Sequence, residues 1–361
     1  MAAKSNFISL ENNQNLKNGD TIVSVKDLEV EFTVRGKILK AIRKVSLDIY
    51  KGETIAIVGE SGSGKSVFTK TLTGMLEENG KVSSGEILYS GADLAKFTTN
   101  EEWRQVRGKR ISTIFQDPLT SLNPLRKIGS QIAEVITLHR GLSKEEAKQE
   151  AINLLKRVGI SDAERRYNDY PFQYSGGMRQ RVVIAIALAC SPDILICDEP
   201  TTALDVTIQS QILSLIQELK EEYGFTVIFI THDLGVVAQV ADRVAVMYAG
   251  QIIELGTAED VFYTWALLSS LPQLGQKGEN LYSITGTPPS LFNEIKGDAF
   301  AERNKYAMKI DFVKEPPMFK VSETHYAKTW LLDPRSPKVE RPAIISEIPN
   351  RIAQIYSGGK K

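Results

Sequence analysis

Thr54-Ile-Ala-Ile-Val58 runs directly into Gly59-Glu60-Ser61-Gly62-Ser63-Gly64-Lys65-Ser66, and Ser66 to Leu76 continues as a helical stretch. This strand, turn and helix constrain the fold more than any other part of the chain. The turn fits G-x-x-x-x-G-K-[ST]. Its glycines let consecutive backbone N–H groups point inward around phosphate oxygens. Lys65 brings a cation to the β/γ-phosphates, Ser66 offers a hydroxyl to Mg²⁺, and the helix start through Val67 adds its dipole. The plain alternative is a glycine-rich turn, which residue frequencies yield in roughly one chain in a hundred of this length. The apolar strand before it and the helix after it argue against that alternative.

The rest of the chain supplies an α/β setting. Thr21 to Phe32 and Val45 to Ile49 alternate apolar and polar residues, as half-buried strands do. Ile111 to Phe115, Ile194 to Cys197 and Thr226 to Ile230 read as further strands. Arg126 to Val158 is helical with a break near Gly141 to Ser143, where Ser143 precedes an acidic first turn. Gly177 to Cys190 and Thr207 to Tyr223 are helical, and Val244 to Leu255 is a hairpin turning at Ala249-Gly250. Strands alternating with helices imply an α/β core. Glycine, proline and lysine become frequent after Leu274, which places a boundary near Thr257 to Leu274. The expected division is a polar extension over residues 1–20, a nucleotide-binding unit over 21–265 and a small appendage over 266–361.

Composition removes several function classes. Lys plus Arg and Asp plus Glu both total 44, so bulk attraction to nucleic acid or anionic membrane is not expected. The longest apolar stretch, Val182 to Cys190, is far short of the ~20 residues that span a bilayer. Residues 1–20 contain no apolar core of a secretory signal. Cys190 and Cys197 sit in apolar runs without metal spacing and read as reduced core residues.

Ile194-Leu-Ile-Cys-Asp198-Glu199 reads as a buried strand ending in two acids. Asp198 suits Mg²⁺, indirectly or through its water shell, and Glu199 suits a general base for the attacking water. Taken alone, a strand cap with two solvated carboxylates is an equal reading; beside the phosphate loop it is the weaker one. Tyr174-Ser175-Gly176-Gly177-Met178 places Ser-Gly-Gly at a helix start, which presents N–H groups to an anion, although such a turn is commonplace.

In this order the three segments resemble the ATP-binding-cassette (ABC) ATPases, over about Thr21 to Leu274. The resemblance implies a P-loop ABC cassette: a RecA-like core, an antiparallel β subdomain, and a helical signature subdomain over about residues 117–189. It implies that Ser175, Gly176 and Gly177 bind the γ-phosphate held by the opposite subunit, with Met178 in place of the usual glutamine. Gln116 matches the glutamine that reaches Mg²⁺ and water, Asp205 the loop contacting the partner, and His232 the histidine at the γ-phosphate. A lone histidine after a strand is more often merely structural. Phe32 is the candidate to stack on adenine, though its spacing suits a core residue equally.

Residues 165–174, Thr201 to Thr207, Thr264 to Pro272 and Gly286 to Ser290 resemble the peptide/nickel importer subfamily, and within it the D-type ATPases of oligopeptide permeases. That resemblance implies ATP and Mg²⁺ as cofactors and a related but distinct ATPase as heterodimer partner. It also implies two transmembrane permease subunits, an extracellular peptide-binding protein and a peripheral place on the cytoplasmic face of the cell membrane. Many relatives hold an iron–sulfur cluster in the appendage. The similar segments here, around Gly297-Asp298, Arg303-Asn304, Asp311 and Thr329, carry no thiolate, so no cluster is expected. Relatives also often place His-Pro before Tyr263, where this chain has Phe262. Dipeptide or nickel cargo, a soluble ABC ATPase without a permease and a nucleotide kinase remain the rival readings.

Overall fold

The computed structural model describes residues 10, 13, 16–202, 204–261 and 286–339. Most of the N-terminal extension, Ala203 and the Thr264 to Pro272 segment lie outside the described residues. So do Phe262, Tyr263 and most of the expected boundary region.

Strands β1 (Thr21–Val34) and β2 (Lys37–Tyr50) pair antiparallel and are followed by β3 (Thr54–Val58) and helix α1 (Lys65–Leu72). Strands β4 (Gly80–Tyr89) and β5 (Ala92–Asp93) complete a four-stranded antiparallel sheet in the order β2-β1-β4-β5. Helix α2 (Asn100–Val106) leads to strand β6 (Ile111–Ile114). A run of helices follows: α3 (Pro118–Ser121), α4 (Ile128–Arg140), α5 (Lys144–Arg157), α6 (Ala163–Arg166) and α7 (Gly176–Leu188). The expected break falls between α4 and α5. There Ser143 accepts from Glu146 N–H at 3.3 Å, and the Glu146 carboxylate accepts from Ser143 N–H at 2.9 Å, a reciprocal cap. Strand β7 (Ile194–Asp198), helix α8 (Val206–Tyr223), strand β8 (Thr226–Ile230), helix α9 (Leu234–Val240), the hairpin β9 (Arg243–Tyr248) and β10 (Gln251–Thr257), and helix α10 (Ala258–Val261) finish the cassette.

The central sheet runs β10-β9-β3-β8-β7-β6, with β9, β3, β8, β7 and β6 parallel. Its strands read as unbroken apolar runs because both faces are covered. Along β7, Leu195 and Cys197 face the helical core while Ile194 and Ile196 face the antiparallel subdomain. In β8, Val227 and Phe229 likewise oppose Ile228 and Ile230. The apolar stretch from Val182 is the buried helix α7, packed on this sheet. Among the described residues no helix is long and apolar enough to cross a membrane.

The described part of the appendage joins the same sheet. Strand β12 (Tyr326–Lys328) pairs with β10, and β11 (Met318–Lys320) pairs with β12 at the edge. Trp330 is buried beneath this hairpin, its indole N–H donating to the Lys314 carbonyl at 2.8 Å.

His325 Nε2 lies 2.7 Å from Glu254 Oε1, and both side chains are largely buried. The Glu254 hydrogen bond, with Asp260 nearby, raises the imidazole above its ordinary range despite burial. A raised histidine contributes stability that is fully present below its unfolded value of about 6.5 and lost as pH rises through the folded value. We therefore expect His325→Gln to lower the melting temperature more at about pH 6 than at about pH 8.5. Equal losses at both pH values in thermal melts would remove the charged pair from the account.

Candidate active site

The phosphate loop is shaped by what surrounds it. A Cβ on Gly59 would lie 2.1 Å from the Met247 carbonyl oxygen, so no larger residue fits beneath β9. Gly64, which precedes α1, has φ 106°, a left-handed value that glycine adopts without strain. Gly250 N–H donates to the Ser63 carbonyl at 2.9 Å, which ties the loop to the β9–β10 turn. Ser61 and Gly62 are exposed at the crest, and Ser63 Oγ is buried without a hydrogen-bond partner. Lys65 Nζ donates to the carbonyls of Gly59 and Glu60, both at 2.9 Å. Burial pushes the Lys65 pKa down, while the carboxylates of Glu199, Asp198 and Glu60 favour its charged form. Val67 sits in the first turn of α1.

The acids at the end of β7 meet this loop from the neighbouring region of the sheet. Ser66 Oγ donates to Asp198 Oδ1 at 3.3 Å. Burial raises the Asp198 carboxyl above its usual range, and the Ser66 hydroxyl partly opposes that. Glu199 is a hub. Gln116 Nε2 donates to its Oε2 at 3.0 Å, Thr202 Oγ donates to the same oxygen at 3.1 Å, and His232 Nδ1 lies 3.2 Å from Oε1. Its backbone is left-handed, with φ 49°, and its N–H donates to the Ile230 carbonyl at 3.0 Å. A non-glycine residue held there is strained and needs surrounding structure to keep it. Gln116 follows β6, Glu199 follows β7 and His232 follows β8. All three emerge from the carboxyl ends of parallel strands, where open α/β sheets place ligands.

Three of the expected residues gather elsewhere. Ser175 caps α7, its Oγ accepting from Met178 N–H at 3.3 Å. A Cβ on Gly176 would come 3.9 Å from Leu204, and one on Gly177 would come 2.8 Å from Ile208. The signature turn therefore lies against the start of α8, beside Asp205, whose Oδ1 caps that helix by accepting from Ile208 N–H at 3.0 Å. Among the described residues no hydrogen bond joins this turn to the Gly59–Ser66 loop of the same chain. Phe32 is 8% exposed, sits opposite Leu39 and Gly80 in the antiparallel sheet, and packs its ring against Gly80.

Two residues of this site escape a reading of the sequence. Thr202 stands in the Thr201 to Thr207 run, and only its contact with Glu199 reveals it. Arg303 reaches Glu60 of the phosphate loop from the appendage, 243 residues away in sequence. No local pattern signals such a contact.

Comparison with known proteins gives consistent matches. A family model described as ABC transporter matches residues 42–202. The chain is 61% identical over 344 residues to the oligopeptide transport ATP-binding protein AmiE of Streptococcus pneumoniae serotype 4, covering 94% of this chain and 97% of that one. It is 55% identical over 343 residues to the oligopeptide transport ATP-binding protein OppD of Bacillus subtilis, covering 93% and 96%. With the dipeptide transport ATP-binding protein DppD of Lactococcus lactis subsp. cremoris, identity is 57% over 327 residues, covering 89% and 93%. Among solved structures, it is similar to the dimeric ATP-binding cassette MJ0796 in a post-hydrolysis state bound to ADP and Pi. That match has a TM-score of 0.58 and 31% identity, and covers 65% of this chain and 98% of the other.

Proposed function

Since this chain belongs to the ABC transporter ATPases and is the ATP-binding subunit of an oligopeptide transporter, we propose that it hydrolyses ATP in a sandwich with a second, related ATPase. The observation that carries this reading is the separation of its two phosphate-binding turns. The Gly59–Ser66 loop and the acids share one end of the sheet, while Ser175, Gly176 and Gly177 lie exposed or half-exposed against α8. A partner's signature turn would complete the site, with Asp205 facing the same junction. The likeness to a dimeric cassette bound to ADP and Pi supports this arrangement.

In the proposed reaction, Lys65 and the loop N–H groups hold the triphosphate. Glu199 takes the proton of the attacking water as its oxygen bonds to the γ-phosphorus, and the bond from that phosphorus to the ADP oxygen breaks. Gln116, Thr202 and His232 keep the Glu199 carboxylate in one orientation, which shortens the search for a reactive geometry. The Ser66 hydroxyl and Asp198 carboxylate converge as hard oxygen donors, a set that fits Mg²⁺ completed by phosphate and water. When bound, that ion would neutralise charge on the phosphates. Phe32 is retained as the proposed adenine platform. The appendage is proposed to lack an iron–sulfur cluster, since its matching positions carry no thiolate.

The proposed partners are two permease subunits, with an extracellular peptide-binding protein delivering cargo at the far side of the membrane. The chain would then sit peripherally on the cytoplasmic face. Leu119 and Leu125, which follow Gln116 in the chain, and Phe172, before the signature, are 60%, 85% and 74% exposed and are the apolar side chains proposed to meet the permease. Cysteine crosslinking in the assembled transporter tests the sandwich. With Cys190 and Cys197 replaced, a cysteine at the exposed Ser61 should join one placed in the partner's signature turn, and one at the exposed Ser175 should join one placed in the partner's phosphate loop, when nucleotide is trapped. Absence of both crosslinks, with intact complex recovered, would overturn the shared site.

A further inference from the structure

The appendage grips the phosphate loop through one arginine. Arg303 lies in a short turn, Ala301–Arg303, and its guanidinium carbon sits 5.7 Å from the Tyr248 ring centre and 5.8 Å from that of Phe300. Those two rings meet edge to face at 5.4 Å. From this aromatic seat Nη1 donates to Glu60 Oε2 at 2.8 Å and to Tyr248 Oη at 3.0 Å. The Arg303 side chain is 7% exposed and that of Glu60 is 32% exposed. Tyr248 ends β9, next to Met247, whose carbonyl closes over Gly59. A second brace reaches the same hairpin. Glu315 accepts from Gln251 Nε2 at 2.8 Å and pairs with Arg43 at 3.7 Å, while Arg43 N–H donates to the Gly250 carbonyl at 2.8 Å.

Glu60 poses a problem that Arg303 solves. It is a carboxylate inside a loop whose task is to attract a polyanion, and like charges at close range repel strongly where water is thin. The buried guanidinium paired with Glu60 Oε2 offsets that charge. Its aromatic seat fixes the orientation, which a flexible surface lysine would not achieve. Resting on the ATP-site reading above, we propose that Arg303 is a positioning residue for ATP: it neutralises Glu60 and so makes nucleotide affinity depend on the docked appendage. The appendage is thereby part of the ATP site's electrostatics, and any partner that lifts it would loosen ATP.

Calorimetric titration of the full chain with MgATP tests this. Arg303→Met should weaken binding roughly tenfold, the cost of one uncompensated charge near the phosphates. In a Glu60→Gln background the same change should cost less than about threefold, because no carboxylate remains to be neutralised. Arg303→Gln, which keeps a polar contact but not the charge, should match Arg303→Met and keeps the test open if the methionine variant fails to fold. Equal losses in both backgrounds would mean a brace without an electrostatic role, and unchanged affinity in the single variants would mean no role; either overturns the proposal. Binding by the unaltered chain and its loss in Lys65→Ala report on the site itself. If those controls fail, the site reading falls; if they hold while the Arg303 variants show no such coupling, only this proposal falls.

Discussion

Glu199→Gln, assayed in the assembled transporter, should hydrolyse ATP roughly 10²–10⁴-fold more slowly while binding ATP as tightly as the unaltered chain. The amide is nearly the shape of the carboxylate, so the left-handed backbone at φ 49° and the N–H donated to Ile230 have no reason to change. What disappears is the proton acceptor. Gln116 and Thr202 both donate to Oε2, so one oxygen is held by hydrogen bonds while His232 approaches the other. An amide placed in that cage cannot accept the proton of the attacking water. The measurement is steady-state phosphate release beside nucleotide binding on the same preparation. Turnover within about threefold of normal would remove Glu199 as the general base, since a positioned base contributes at least about 10²-fold.

Lys65→Ala should fail at the earlier step, weakening MgATP binding by about 2–4 kcal/mol, the cost of truncating one partner of a buried charge-assisted contact. Lys65 is the buried cation of the loop, held by the Gly59 and Glu60 carbonyls and favoured by three carboxylates around it. Removing it leaves the Asp198 and Glu199 carboxylates without the loop's cation beside them. The same calorimetric titration reads this loss directly, and circular dichroism verifies that the variant is folded. Affinity within about threefold of normal would place phosphate binding elsewhere. The two variants thus separate: one loses turnover at full occupancy, the other loses occupancy.

Local order made much of this legible in the chain. The phosphate loop could be read because strand, turn and helix are contiguous and each has its own pattern. The α4–α5 break was visible because Gly141 takes a left-handed cap and Ser143 opens a capping box, both short-range devices. Strand β4 is not legible in the sequence, because Lys81, Ser83 and Ser84 expose polar side chains and its pairing with β1 is made across a register shift. The hairpin of β11 and β12 falls in the appendage expected over residues 266–361, and the pairing of β12 with Glu254 and Leu255 extends the central sheet. Pairing at a sheet edge depends on what arrives from a distant segment, and few residues of either strand announce it.

The sequence alone determined the patterns on which the proposed chemistry rests: a G-x-x-x-x-G-K-[ST] loop at Gly59–Ser66, two acids at the end of β7, and a Ser-Gly-Gly turn at a helix start, each within a few consecutive residues. Only the tertiary structure decided how these are grouped. It gathers Gln116, Thr202 and His232 onto Glu199, seats Arg303 on Glu60, and leaves the signature turn against α8. The physical reason is range: backbone geometry and side-chain type act over a turn or two, whereas these contacts exist only after the parallel strands align their carboxyl ends and the appendage closes the sheet edge.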